Sequence, residues 1–91
     1  MKVKLPYKTS NNLSYLIVRE QANLMEKTGI SYKKKDIMTK IGDHCGVGWE
    51  AIKRISYGMA QPSLPLAMKI AEYFDTTVEE IYKLEDGEWG D

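Results

Sequence analysis

The chain has 91 residues, of which 43% are hydrophobic and 29% are charged. A chain of this length forms one small domain with a modest core, which excludes most two-substrate enzymes with a deep cleft. Thirteen basic residues balance thirteen acidic ones, and this net charge of zero argues against a nucleic-acid protein, since such domains are usually basic.

The charge balance hides an asymmetry along the chain. Residues 1–61 carry eleven Lys and Arg against five Asp and Glu, a net charge of +6. Residues 62–91 carry two basic and eight acidic side chains, a net charge of −6. A basic body with an acidic end is consistent with a polarised domain, in which only one face suits phosphates.

Cysteine content and hydropathy indicate a cytoplasmic protein. The single cysteine, Cys45, has no partner for an internal disulfide, which favours a reducing compartment. The first residues lack the apolar stretch of a signal peptide, and no apolar run approaches the ~20 residues needed to cross a bilayer.

The first part of the chain predicts an arm and two helices. Residues 1–10 show no periodicity and are predicted to be an N-terminal arm that precedes a domain over 11–86. Asn11 or Asn12 is the candidate cap of helix 1, which ends near Gly29. Helix 2 begins after Ser31 or at Asp36 and runs to Cys45, so a helical or a loop structure for 32–35 stays open.

Three further helices complete an all-α prediction. Helix 3 covers about 48–56, and helix 4 follows a loop in which Ser63 is the candidate cap. Thr77 and the glutamates after it predict a capped helix 5 that extends through Ile81, Tyr82 and Leu84. Residues 87–91 are predicted to be a frayed acidic tail, and no alternation typical of β-strands is recognised.

Residues 37–56 have the spacing of a helix-turn-helix. Gly42 supplies the small residue needed where two helices cross, and Gly46 supplies a residue that tolerates a positive φ at the turn. The inner faces would be lined by apolar residues, namely Ile41, Cys45, Val47, Ile52 and Ile55. The same spacing also suits an ordinary αα-hairpin with no role in DNA binding.

Three segments resemble the lambda-repressor/Cro-like helix-turn-helix domains of the XRE family of bacterial and phage regulators. They are IGDHCGV (41–47), AIKRI–YG (51–58) and QPSLPLAMKIAEYFDTTVEEIYKLED (61–86). The resemblance implies a five-helix lambda-repressor-like domain and a sequence-specific transcriptional regulator, most simply a repressor. It also implies a homodimer on palindromic double-stranded DNA, with half-sites ~34 Å apart.

The resemblance places helix 3 in the major groove and assigns residues to the DNA. The residues expected to face base edges are Trp49, Glu50, Lys53 and Arg54. Those expected to contact the DNA backbone are Lys33, Lys34, Lys35, Lys40, Tyr57 and Gln61. The three consecutive lysines fill a segment that is longer than in the family, and a solvated charged surface is the alternative interpretation of this run.

The chain departs from the family where DNA contacts would be made. Met38 stands where the family usually has Gln, and Gly48 stands where Ser usually begins the recognition helix. Trp49 has three open interpretations: a groove contact, a core-edge residue packed on Tyr57 or Met59, or an anchor for a protein partner.

Other chemistry finds little support in the sequence. His44 and Cys45 lack further His or Cys residues to complete a metal site, and no catalytic constellation is present. We therefore expect no enzymatic activity, no metal and no cofactor. The alternative function is a helix-turn-helix scaffold for protein binding, such as an antitoxin, an anti-repressor or an inhibitor of a host enzyme.

Overall fold

The computed structural model describes residues 5–89, with side chains described for residues 7–86. The described residues form five helices flanked by two strands. In chain order the elements are β1 (Leu5–Asn11), α1 (Leu13–Thr28), α2 (Lys34–Cys45), α3 (Trp49–Ser56), α4 (Leu64–Tyr73), α5 (Val78–Ile81) and β2 (Tyr82–Trp89). The predicted helix count and the mainly helical fold class are confirmed.

Local signals fix most helix ends. The Asn11 carboxamide accepts a hydrogen bond from Leu13 N–H at 3.0 Å at the start of α1. Ser63 Oγ accepts from Leu66 N–H at 3.4 Å, and Thr77 Oγ1 accepts from Glu80 N–H at 3.3 Å. Each bond satisfies a first-turn N–H that has no partner inside its helix. Ser63 and Thr77 are themselves the N-cap residues, whereas at α1 the N-cap is Asn12, which makes no side-chain cap bond, and its neighbour Asn11 supplies the acceptor.

One core joins all five helices and the start of β2. Its most buried members are aliphatic side chains from the inner faces of the helices. They are Leu13, Leu16, Ile17, Ile37, Met38, Ile41, Ile52, Ile55, Ala67, Ile70, Ala71 and Ile81, with Tyr82 at the edge. Burial of these apolar side chains is the main force that holds the helices together.

The all-α prediction is wrong in one respect, because the two ends of the described chain form a small sheet. β1 and β2 pair antiparallel, with Asn11 opposite Tyr82 and Tyr7 opposite Asp86. The predicted helix 5 is correspondingly too long, since α5 ends at Ile81 and the chain continues as a strand. In this segment Tyr82 and Leu84 alternate with charged residues, which is a pattern typical of a strand. The capping signal at Thr77 favoured a longer helix instead.

The strands also replace most of the predicted arm and tail. Residues 5–10 of the arm belong to β1, and residues 87–89 of the tail belong to β2. The remaining parts of those predictions, residues 1–4 and 90–91, lie outside the described residues. The Asn12 N–H donates to Ile81 C=O at 3.1 Å, so the strand ladder continues to the point where α1 begins.

Candidate nucleic-acid interface

The α2–α3 hairpin is held by close contact between backbones. Gly42 is buried in α2, and a Cβ atom built there would lie 2.5 Å from Val47 O and 3.3 Å from Gly48 C. Gly46 has a φ of 79°, and both it and Val47 donate backbone N–H bonds to Gly42 C=O, at 2.7 and 2.9 Å. Gly42 therefore lies where the backbones of the two helices approach most closely, and Gly46 has the positive φ of the turn between them.

Apolar side chains fill the angle between α2 and α3. Ile41, Ile52 and Ile55 are buried, while Cys45 and Val47 are half-buried and pack against the core. Burial raises the pKa of the Cys45 thiol above its ordinary value; the charge of Lys69 acts weakly against this shift, and the charge of Glu72 adds to it. This residue is therefore a packing residue with little thiolate character.

The start of α2 places the three lysines at a helix terminus. Lys33 is the N-cap residue, and its backbone N–H donates to Asp36 Oδ2 at 2.9 Å. Neither Ser31 nor Asp36 is the N-cap, because the Asp36 carboxylate caps from inside the first turn. Lys34 and Lys35 therefore lie in the first turn of α2, and 32–33 precede the helix.

Two lysines stand over the ring of Trp49. The Nζ atoms of Lys35 and Lys53 lie 4.9 and 5.6 Å from its centroid. Trp49 is half-buried and packs against the core, which among its three interpretations agrees best with a core-edge residue. Lys53 Nζ also lies 5.8 Å from the Tyr57 ring, so cations and aromatic rings alternate along one side of α3.

The remaining predicted base-facing residues lie on the exposed side of α3. Glu50 and Arg54 are one helical turn apart and both are exposed. Lys40 is exposed on α2, where its Nζ lies 5.2 Å from the Tyr32 ring centroid. The structure thus brings the predicted base-facing residues and most of the predicted backbone-contacting residues to α3 and the adjoining part of α2.

Gln61 has a role that the sequence did not indicate. Its Oε1 accepts bonds from the Thr9 N–H, at 3.1 Å, and from the Thr9 hydroxyl. Its Nε2 donates to Thr9 C=O at 3.1 Å. Both ends of the carboxamide are therefore engaged with β1, as a neighbouring strand would be.

The C-terminal end of α3 is closed by side chains from distant parts of the chain. Asn11 Nδ2 donates to Ile55 C=O at 2.9 Å, and Ser14 Oγ donates to Ser56 C=O at 3.1 Å. These bonds satisfy carbonyls that have no partner within the helix. A shallow cleft of about 270 Å³ remains here, with Lys8, Tyr57 and Glu85 among its lining residues.

A separate polar cluster lies between α2 and α4. Glu72 Oε1 is 3.0 Å from His44 Nε2 and 3.2 Å from Lys69 Nζ. The hydrogen bond from Lys69, together with its charge, lowers the pKa of Glu72 below its ordinary value. No group of three or more candidate metal ligands occurs in the part of the chain that the structure describes.

Comparison of the chain with protein-family models, with curated proteins and with solved structures finds no match. None of the helices within residues 5–89 is long and apolar enough to span a membrane. Three features define the candidate site: a tightly crossed helix pair, a row of cations and aromatic rings, and an exposed Glu50–Arg54 face.

Proposed function

We propose that this protein is a sequence-specific DNA-binding transcriptional regulator of the XRE type, most simply a repressor, with a lambda-repressor-like arrangement of its five helices. The observation that carries the proposal is the exposed side of α3, where Arg54 is accessible and Lys53 joins Lys35 over Trp49. Lys53 and Arg54 lie on the helix whose position relative to α2 is fixed by the tight crossing at Gly42.

In this proposal α3 enters the major groove, whose width of ~12 Å admits an α-helix. Arg54 offers a planar donor pair for the O6 and N7 acceptors of guanine. Glu50, one turn away, accepts from the amino group of cytosine. A guanine next to a cytosine in the DNA site would therefore bind both side chains. The bond from cytosine would offset the repulsion between Glu50 and the phosphates.

The phosphate contacts come from the start of α2. Lys33, Lys34 and Lys35 stand at a helix N-terminus, where the helix dipole also favours anions. Lys40 on α2 and Tyr57 after α3 are both exposed and would add further contacts to the DNA backbone. Gln61 contributes indirectly, because its bonds to Thr9 hold the loop that follows α3. Two such domains on a palindrome would form the regulator.

Binding to a duplex pool tests the proposal. We expect selection at physiological salt to enrich a palindrome, and the double variant Lys53→Ala, Arg54→Ala to bind it at least ~10-fold more weakly. The salt slope of binding, measured by fluorescence anisotropy, should fall by about one for each of the α2 lysines 33–35 that is replaced by Ala, because these residues are assigned to phosphates.

The matched control is Arg19→Ala with Lys27→Ala, which removes two exposed positive charges from α1. If both double variants weaken binding equally, net charge and not α3 governs affinity, and the assignment of α3 fails. Absence of any enriched sequence, together with salt-insensitive recovery of a protein in a pull-down, would instead favour the protein-binding scaffold.

A further inference from the structure

The two edges of the β1–β2 ribbon differ in their hydrogen bonding. Thr9 directs both its N–H and its C=O to Gln61, on the side away from β2. Thr9 stands opposite Leu84 in the register. In an antiparallel pair, a residue whose main-chain groups point away from the partner strand faces one that does the same. The N–H and C=O of Leu84 therefore point outward from the other edge.

The outer edge of β2 is open in the described part of the chain. Leu84 N–H and C=O have no hydrogen-bond partner among the described residues, whereas the corresponding groups of Thr9 are covered. The Leu84 side chain is 71% exposed, and Lys83 and Glu85 beside it are exposed as well. An open edge with unpaired main-chain groups is a template for another strand.

The order of charges along β2 selects the second strand. If β2 pairs antiparallel with β2 of a second copy about Leu84, each Lys83 lies opposite Glu85 of the other copy. Residues whose N–H and C=O point away from β1 must face each other across the new pairing. The nearest alternative registers are therefore shifted by two positions. Those registers place Lys83 opposite itself or Glu85 opposite itself, and like charges directly opposite are destabilising.

We propose that β2 is a homodimerisation strand, which pairs with β2 of a second copy in the register centred on Leu84. The result is a four-stranded sheet in the order β1-β2-β2-β1. Lys8 already stands opposite Glu85 within the ribbon. The paired sheet would therefore carry a row in which Lys8, Glu85 and Lys83 of the second copy alternate in charge, while the two Leu84 side chains meet on the other face.

Sedimentation velocity without DNA tests this interface, so its failure would leave the DNA-binding proposal untouched. We expect the protein to dimerise and the single variants Lys83→Glu and Glu85→Lys each to raise the dimer dissociation constant about 10-fold or more. An equimolar mixture of the two variants should recover a heterodimer, because both cross-copy pairs then join opposite charges. Added salt should weaken the wild-type dimer and strengthen the Lys83→Glu dimer.

Two further variants keep the test decisive. Leu84→Pro removes an N–H that faces outward and leaves the bonds between β1 and β2 in place, so it should abolish dimerisation with unchanged far-ultraviolet circular dichroism. Val18→Glu, on the exposed apolar side of α1, is the control and should leave the dimer intact. A monomeric wild-type protein, or a dimer broken by Val18→Glu and not by the β2 variants, overturns the proposal.

Discussion

The α2–α3 hairpin and the β1–β2 ribbon both border α3, but different forces hold them. In the hairpin, backbone meets backbone, and a Cβ at Gly42 would lie 2.5 Å from Val47 O. The ribbon is attached by side chains, chiefly the bonds of Gln61 to Thr9 and of Asn11 to Ile55 C=O. A crossing of backbones leaves no room to adjust, whereas a side-chain clamp can open locally.

Gly42→Ala is expected to have the largest effect on stability and therefore gives the strongest test of this difference. The added methyl group meets backbone atoms that cannot rotate away, so we expect the free energy of unfolding in urea to fall by about 3 kcal/mol. Gly29→Ala is the control, because Gly29 has a φ of 74° but no atom within 4 Å of an added Cβ. Its cost should be only about 1 kcal/mol of backbone strain. Equal effects of the two variants would mean that the crossing is not tight.

Substitutions in the attachment of the ribbon should lower the unfolding free energy less, and their effects should stay local. Gln61→Ala removes every bond of the clamp to Thr9, and we expect a loss of about 1–2 kcal/mol in unfolding free energy. Hydrogen exchange measured by NMR should show faster exchange at the Thr9 amide, with the amides of α2 unchanged. Gln21→Ala, which removes a bond to Tyr32 C=O, is the control and should leave Thr9 protected. Faster exchange throughout the domain would contradict a local clamp.

The base of the ribbon offers a change of the opposite sign. Tyr82 is 8% exposed, and its buried hydroxyl has no hydrogen-bond partner among the described residues. Tyr82→Phe should therefore raise the unfolding free energy by about 1 kcal/mol. The Tyr73 hydroxyl, in contrast, donates to Glu20 Oε2 at 3.3 Å, so Tyr73→Phe should lower stability by a similar amount. If both variants change stability in the same direction, the two hydroxyls do not differ as described.

The same two tyrosines predict how stability changes in alkali. Burial raises the pKa of Tyr82 to about 12, and burial with the charge of Glu20 raises that of Tyr73 to about 12. Both pKa values lie above the ordinary value near 10, so the folded state retains these protons when the unfolded state loses them. The resulting contribution to the free energy of unfolding is complete below pH ~10 and is lost as the pH rises to about 12. In each Phe variant the unfolding free energy, measured by urea titration at a series of pH values, should fall less steeply over this range.

The helices follow from signals that lie within a few residues of one another. Gly42 and Gly46 mark the crossing and turn, and Ser63 and Thr77 begin α4 and α5 as their side chains predict. The ribbon could not be found in this way, because Gln61 and Thr9 are 52 positions apart and neither sequence neighbourhood refers to the other. Trp49 is intermediate, since its position on α3 was predictable but the lysines over its ring come partly from α2.

The ribbon also has a consequence for the order of folding. Asn11 pairs with Tyr82, and Tyr7 pairs with Asp86, so nearly the whole domain lies inside the loop that this pairing closes. Closing so long a loop in an unfolded chain is entropically costly, and the cost falls once folded helices have brought the strand ends together. We therefore expect the ribbon to form last and to open first. Opening would expose the main-chain groups through which β1 and β2 pair, while the five helices stay packed.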